Sequence, residues 1–246
     1  MLLRRITRHV KDQNWFAVGI DFFIVVIGVF IGIQVANWNA SQFERQEEAA
    51  IVERLQSDFE RIEQDAERSL AFHTRMTEDI RTMLRSLRSG VLEDKDIPAF
   101  ERVLVLGTVF QTSADRSGSF TELMSSGRGN ILRDRDLLHL LVDYEDFLGR
   151  FAIAWSYYIE NAALWIPDVK AAYEYDIDFQ LTDDFLASVD QGERYVSYDF
   201  EALAADPAFE NAVEELLFLH SGFTIWRKRI SDRIDDIQQQ LALSER

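Results

Sequence analysis

The feature that most constrains this chain is residues 16–36, a run of 21 residues with one charged side chain and no proline. A helix rises about 1.5 Å per residue, so about 20 apolar residues cross a bilayer core of about 30 Å. Trp15 and Trp38 stand at its two ends, about 34 Å apart along a helix, and tryptophan prefers the headgroup level. The run therefore predicts a transmembrane helix over residues 15–38, with these two tryptophans as its interface anchors.

Charge predicts the orientation of the span. The residues before it are basic, namely Arg4, Arg5, Arg8 and Lys11, whereas the acidic stretch 44–48 follows it. Because the basic flank stays in the cytoplasm, we expect residues 1–14 to be a cytoplasmic basic segment and residues 39–246 to be an extracytoplasmic domain. The predicted location is a bacterial inner (plasma) membrane, with the domain in the periplasm.

Two questions stay open at this end of the chain: whether the apolar run is cleaved as a signal peptide, and what the basic segment does. A cleaved signal peptide would have an apolar region of only about 7–15 residues and an A-x-A-like site, to which residues 34–36 are a poor match. We therefore favour an uncleaved anchor. Residues 1–14 form either a short amphipathic helix on the anionic inner leaflet or an unstructured tail that only sets topology.

The part beyond the span is acidic and contains no cysteine. Residues 37–246 hold 22 basic and 41 acidic side chains, a formal charge of −19. Such a domain repels phosphate backbones, so nucleic acid is not expected as a partner. Without cysteine the chain has no thiol nucleophile, disulfide or Cys-based zinc site, and no cofactor is predicted.

Two long helices are predicted at the ends of the domain. Apolar positions recur at alternating steps of three and four over 52–87, and Ser89-Gly90 then supplies a stop signal. Ser69 and His73 interrupt this apolar seam, so a break in the first helix is one alternative. The last helix begins at Asp206-Pro207, a cap followed by a first-turn proline, and runs to about residue 243 with a similar seam.

Shorter elements are predicted between these two helices. In chain order they are a helix from Pro98 to Phe110, a polar loop over 111–119, a short helix over 120–126 and a long helix that Asp134 caps. Pro167 is expected to kink or end that long helix. Residues 173–200 show no regular pattern, and a short pair of strands is one option for them.

These patterns predict a mainly α fold. One N-terminal transmembrane helix is followed by an extracytoplasmic antiparallel helical bundle with long first and last helices, because two seamed helices in one domain most economically pack against each other. The alternative is a parallel coiled coil between two chains over 52–87. The polar residues in that seam argue against it, since two-stranded coils prefer branched aliphatic side chains there.

Two blocks of sequence resemble a known kind of protein. Residues 23–39, FIVVIGVFIGIQVANWN, resemble the N-terminal signature of an uncharacterised family of bacterial single-pass membrane proteins. Residues 120–127, FTELMSSG, followed by Ile131-Leu132 and a Leu-rich helix ending near Tyr144, resemble the second block of that family. The resemblance implies a membrane-anchored domain of unknown function, and it carries over no catalytic residues.

The span contains a candidate helix–helix interface. Gly28 and Gly32 form a GxxxG motif that Ala36 extends by another four residues, and small residues let two helix backbones approach closely. Asp21 lies on the same face, seven positions before Gly28, where a carboxyl is costly unless it is paired or reaches the headgroups. Self-association would satisfy it, whereas the simpler alternative is an isolated span whose aspartate reaches the cytoplasmic surface.

Several side chains in the domain are weaker candidates. His73 and His220 fall on the two seams, where they could face each other to bind a metal ion or sense pH, or simply be buried core residues. The acidic group Asp176, Asp178, Asp183 and Asp184 could bind calcium but lacks the EF-hand pattern. Six aromatic residues could line a ligand groove or belong to the core, namely Tyr157, Tyr158, Trp165, Tyr173, Tyr175 and Tyr198.

No sequence pattern indicates an enzyme. Ser125-Ser126-Gly127 lacks the G-x-S-x-G nucleophile elbow, and His139 and Asp143 have no nucleophile placed by spacing. The predicted function is therefore a protein-interaction scaffold or accessory subunit in the bacterial envelope, with the lipid bilayer and either a second copy or an envelope protein as partners. The alternative is an extracytoplasmic ligand-sensing domain that signals through another protein.

Overall fold

The computed structural model describes residues 15–175 and 196–244, with side chains described from residue 19. The chain divides into two compact units, Met1–Ile51 and Val52–Arg246. Helix α1, Trp15–Ser89, contributes residues to both units. Its N-terminal part is long and apolar enough to cross a membrane, and none of that part is buried within the chain. This confirms the one membrane-span candidate by length and composition.

The second unit is built almost wholly from helices. After α1 the elements are a 3-10 turn Asp94–Asp96, α2 Ile97–Leu106, α3 Gly118–Ser125, a 3-10 turn Gly129–Ile131, α4 Arg135–Lys170, α5 Phe200–Ala204 and α6 Pro207–Ser244. Strands β1, Glu174–Tyr175, and β2, Val196–Ser197, form one antiparallel pair. The predicted helical class is confirmed.

The predicted starts and stops of several helices are also found. Asp206 accepts a hydrogen bond from the N–H of Ala208 at 2.9 Å, and α6 starts at the following proline. Asp134 accepts one from Leu137 and caps α4. Helix α1 ends before Gly90 and α3 before Gly127, and both glycines have positive φ, 66° and 71°.

The alternative of a break in the first helix and the predicted end of the second helix were wrong. Helix α1 has no break at Ser69 and His73, and α2 stops at Leu106 rather than at Phe110. Pro167 lies inside α4, which continues to Lys170. A proline removes one backbone hydrogen bond and crowds the carbonyl four residues earlier, and α4 ends within one turn after Pro167. The carbonyl of Pro167 still accepts the N–H of Ala171 at 2.9 Å, so the last turn closes.

Helices α1 and α6 run in opposite directions within the second unit. Near its end α1 contacts the beginning of α6 through Arg88 and Glu210, 2.8 Å apart. Earlier in α1, Glu63 instead accepts a hydrogen bond from Gln238, near the end of α6, at 2.9 Å. Helix α4 packs along α6 as well. The core between these helices is apolar and fully buried, with Leu55, Phe59, Ile62, Ile80, Leu141, Phe223, Ile230 and Ile234 among its members.

Asp134 joins the beginning of α4 to the end of α6. Besides the N–H of Leu137 it accepts hydrogen bonds from Gln240 Nε2 and Ser244 Oγ, each at 2.7 Å. Burial by itself would raise the pKa of Asp134, but these hydrogen bonds outweigh it and hold the pKa below its ordinary value. The carboxylate therefore stabilises the fold in its charged form.

Replacing Asp134 with alanine is expected to lower the free energy of unfolding by about 1–2 kcal/mol at neutral pH, because the cap and two bonds to α6 are lost. The charged form is the stabilising one, so the difference between Asp134→Ala and the unaltered chain should shrink as the pH falls below 3.8. Urea unfolding of the full chain in detergent, followed by circular dichroism, measures it.

The control for this prediction is Asp143→Ala, because Asp143 is exposed on the same helix. It should change the free energy of unfolding by no more than about 0.5 kcal/mol. Equal losses from the two substitutions would show that the hydrogen bonds of Asp134 contribute nothing specific.

Candidate functional site: a buried polar layer

The loop over residues 107–117 is partly exposed, but it turns the backbone carbonyls of Gly107 and Gln111 towards side chains of the long helices. Such inward-facing carbonyls need partners, since unpaired buried carbonyls are costly. Side chains from α1, α4 and α6 converge on the loop. We call this set the polar layer, and its members are Ser69, His73, Asp115, Tyr144, His220 and Arg227.

The polar seam residues satisfy carbonyls of the loop. The carbonyl of Gln111 accepts hydrogen bonds from Ser69 Oγ at 2.8 Å and from His73 Nε2 at 3.0 Å, which uses both of its lone pairs. The carbonyl of Gly107 accepts one from His220 Nε2 at 2.9 Å. This explains why Ser69 and His73 interrupt the apolar seam without breaking α1, because their side chains are paired inside the fold.

A buried ion pair fixes the other end of the loop. Arg227 is fully buried, and its two terminal nitrogens donate to the two carboxylate oxygens of Asp115 at 2.6 and 2.8 Å. Ser113 also bonds to both of these side chains. Tyr144 on α4 donates its hydroxyl to the backbone carbonyl of Asp115 at 2.7 Å. Such bidentate pairing compensates a guanidinium that has no access to water.

His73 and His220 meet at the centre of the layer. Both are fully buried, and their Nδ1 atoms lie 3.0 Å apart. The rings of Phe110 and Phe223 lie against them, with centroids 4.6 Å from His220 and 4.2 Å from His73 respectively. Burial lowers the pKa of His73 to about 3 and that of His220 to about 4, because a charged imidazole loses its hydration there.

The layer brings two histidine side chains from different helices into direct contact. Within residues 19–175 and 196–244 there is no group of three or more His, Asp or Glu side chains placed to hold a metal ion. The expectation that His73 and His220 face each other is met, and their separation is that of a hydrogen bond. The periodicity of the helices does not predict that Arg227 or the loop carbonyls lie beside the two histidines.

Other predicted candidates in the domain do not converge on one site. His139 and Asp143 are exposed on α4, and Ser125 donates its hydroxyl to the carbonyl of Glu122 within the last turn of α3. The acidic group at 176–184 lies outside the described residues. These residues therefore add no second centre to the described part of the domain.

The six aromatic candidates do not all lie together, and Trp165, Tyr173 and Tyr198 belong to or pack against one buried cluster. Tyr157 is exposed, and the neighbouring Tyr158 lies against α6, where its hydroxyl would be 2.5 Å from a Cβ at Gly222. Tyr173 and Tyr175 bond to each other at 3.0 Å, and Tyr198 stacks on Phe100. Trp165 is partly buried against the core. A single aromatic groove is therefore not formed by these side chains.

No other part of the chain covers the described residues of the candidate interface in the span. Asp21 and Ala36 are exposed, and a Cβ placed on Gly28 or Gly32 would meet no atom within 4 Å. Trp38 is exposed as well. The side chain of Trp15 and the basic residues Arg4, Arg5, Arg8 and Lys11 lie outside the described side chains, so their roles stay predictions from the sequence.

Gly28→Ile combined with Gly32→Ile is expected to weaken association of the span at least several-fold in a membrane two-hybrid assay, because branched side chains would hold the helix backbones apart. Gly19→Ile is the matched control. At 100° per residue Gly19 lies on the opposite face of α1 from Gly28, and it is equally open. An association signal that both variants leave unchanged, or reduce equally, would contradict this interface.

Comparisons with protein-family models, with curated proteins and with solved structures gave no match for this chain. The class that the structure itself defines is a helical protein with one candidate membrane-spanning helix near its N-terminus.

Proposed function

We propose that this chain is a single-pass membrane protein whose extracytoplasmic helical bundle acts as an interaction subunit, a scaffold or accessory protein of the bacterial envelope. The observation that carries the proposal is the apolar part of α1, which is exposed along its whole length within the chain. An exposed apolar segment of this size requires lipid or protein around it. The basic residues before it favour a cytoplasmic N-terminus.

A second exposed apolar surface supports the interaction role. Helices α4 and α6 pack side by side, and each exposes large apolar side chains at helical spacing, namely Ile153, Tyr157 and Leu164 on α4 and Phe218 and Ile225 on α6. We call these five residues the apolar face. Charge is scarce along it, because residues 216–226 contain no Asp, Glu, Lys or Arg and residues 151–167 contain only Glu160.

The low charge of the apolar face favours a second copy of the chain as its occupant. Two domains with a formal charge of −19 repel each other over most of their surfaces, so an uncharged face is where two copies can approach at least cost. Copies anchored in one membrane are also confined near each other, which raises their effective concentration. The GxxxG face of the span would act in the same direction.

Site-specific photo-crosslinking in native membranes tests this proposal. A crosslinker at Leu164 should yield an adduct of twice the mass of the chain, whereas one at Gln64, exposed on α1, should not. Ile153→Glu should reduce the Leu164 adduct several-fold by placing a charge in the contact. An adduct of another mass would replace self-association with a different envelope protein as the partner. Equal labelling from both positions would count against an interface at the apolar face.

Ligand sensing is the second candidate function, and a groove on α1 and α2 favours it. The groove has a volume of about 320 Å³ and is lined by three arginines and by apolar side chains, namely Arg68, Arg75, Arg102, Phe72, Met76 and Leu106. Asp79 and Asp65 already pair with Arg102 and Arg68, so a small anion with an apolar tail would have to share these arginines with the carboxylates. Calorimetric titration of the full chain with decanoate tests it, and binding that Arg75→Ala does not weaken would place the ligand elsewhere.

A further inference from the structure

The hydrogen bonds around His73 and His220 fix where their protons must lie. Each Nε2 atom points at a backbone carbonyl, that of Gln111 for His73 and that of Gly107 for His220. A carbonyl oxygen only accepts, so both Nε2 atoms must carry a proton. A neutral imidazole holds one proton, so in two neutral rings both Nδ1 atoms are then bare lone pairs.

The two Nδ1 atoms nevertheless face each other at 3.0 Å. Two lone pairs at this separation repel. Moving the proton of either ring from Nε2 to Nδ1 removes that repulsion, but it leaves a bare Nε2 lone pair facing a carbonyl oxygen, which repels it in the same way. One additional proton between the Nδ1 atoms removes the conflict. It completes an unbroken chain that runs from the Gln111 carbonyl through both rings to the Gly107 carbonyl.

Burial opposes a charge on the pair, but the groups that contact the two rings are ones that can accept from a shared proton. Besides the two carbonyls, the nearest partners are aromatic rings, with the Phe223 centroid 4.2 Å from that of His73 and Phe110 stacked on His220 at 4.6 Å. Aromatic faces attract a cation and cannot donate to a bare nitrogen. The groups that contact the two rings are therefore hydrogen-bond acceptors or π faces, and the only N–H groups among these contacts are those of the histidines themselves.

The charged and titratable groups that face the pair come from α6, the loop and α4. Arg227 lies two turns after His220 and opposes a charge on His73, but the carboxylate of Asp115 compensates that guanidinium. Tyr144 bonds to the backbone of Asp115 and burial raises its pKa, so it stays neutral. With the charge of Arg227 compensated, one added positive charge in the layer meets little repulsion, whereas a second would be repelled by the first.

We propose that His73 and His220 form a buried binding site for a single proton, shared between their Nδ1 atoms, which ties loop 107–117 to both α1 and α6. The proton comes from solvent and returns to it, and only N–H bonds form and break. A second proton has no place in the site, because it would set two N–H groups face to face at 3.0 Å. This inference does not depend on the proposed interaction function.

Nitrogen NMR of the full chain in detergent micelles, with only histidine labelled, tests the proposal. On acidification below neutral pH the Nδ1 signals of His73 and His220 should shift together, both midway between the protonated and bare forms, while both Nε2 signals stay protonated. His139, exposed on α4, gives a reference signal from the same sample. A single titrating Nδ1, or two bare Nδ1 atoms until the chain unfolds, would overturn the proposal.

Glutamine variants separate the shared proton from general stability. Glutamine keeps an N–H at the position of Nε2 but has no counterpart of Nδ1, so His73→Gln preserves the bond to the loop and removes the proton site. We expect folded His73→Gln, checked by circular dichroism, to lose the joint shift and to bind one proton fewer than the unaltered chain in a potentiometric titration between neutral pH and the onset of unfolding. Equal proton uptake by both folded chains would contradict the shared site.

Discussion

Replacing Asp115 with alanine is expected to lower the free energy of unfolding by about 3–5 kcal/mol, the largest loss we foresee for any single side chain of the domain. The substitution removes both carboxylate acceptors of Arg227, leaving the Ser113 hydroxyl as a neutral acceptor and a fully buried guanidinium without a counter-charge. It also frees the end of loop 107–117 that this pair holds. Urea unfolding of the full chain in detergent measures the loss.

Two further variants identify the cause of that loss. If the uncompensated charge is responsible, Asp115→Ala combined with Arg227→Met should recover much of the stability, because an apolar side chain of similar length tolerates the buried position. Glu122→Ala, which breaks an exposed ion pair with Arg54, should cost no more than about 1 kcal/mol. A loss of that small size for Asp115→Ala would show that the buried pair does not hold the layer together.

Placing two arginines in the middle of the apolar run is expected to release the chain from the membrane. Val26 and Val29 lie near its centre and are exposed within the chain. An arginine at the centre of a span costs about 2.5–3.5 kcal/mol, so Val26→Arg with Val29→Arg should cost about 5–7 kcal/mol of insertion free energy. Carbonate extraction of membranes, followed by detection of the chain in pellet and supernatant, measures the effect.

The control for this change is Val26→Leu with Val29→Leu, which keeps the run apolar. It should stay in the membrane pellet, whereas the arginine variant should move to the supernatant. Because the second unit has its own buried core, its helical circular dichroism signal should survive the arginines. A double-arginine variant that still needs detergent for extraction would argue that something other than this run holds the chain on the membrane.

The elements that periodicity and capping specify were predictable from the sequence. The seams of α1 and α6, the caps at Asp134 and Asp206 and the stop at Gly90 each depend on residues close to one another in the chain. Local signals of this kind do not report on distant contacts. They therefore misplaced the end of α2, where tertiary packing decides the outcome.

The polar layer could be predicted only in part. The sequence shows two histidines on two seams, and their meeting follows if the seams face each other. The sequence does not show why histidines stand at these positions. They donate hydrogen bonds to backbone carbonyls of loop 107–117, and no local sequence pattern specifies the path of that loop. The one available signal was that Ser69, His73, His220 and Arg227 are polar residues at core positions of helices, which is typical of buried backbone that needs partners.

The proposed topology places the acidic domain outside the cytoplasm, and reporter fusions test this directly. A fusion of alkaline phosphatase after Arg246, which is active only outside the cytoplasm, should be active in intact cells, and a fluorescent protein that folds only in the cytoplasm should stay dark at the same position. Moving both reporters to residue 14, before the apolar run, should reverse the two signals. Fluorescence without phosphatase activity from the fusions after Arg246 would contradict the proposed topology.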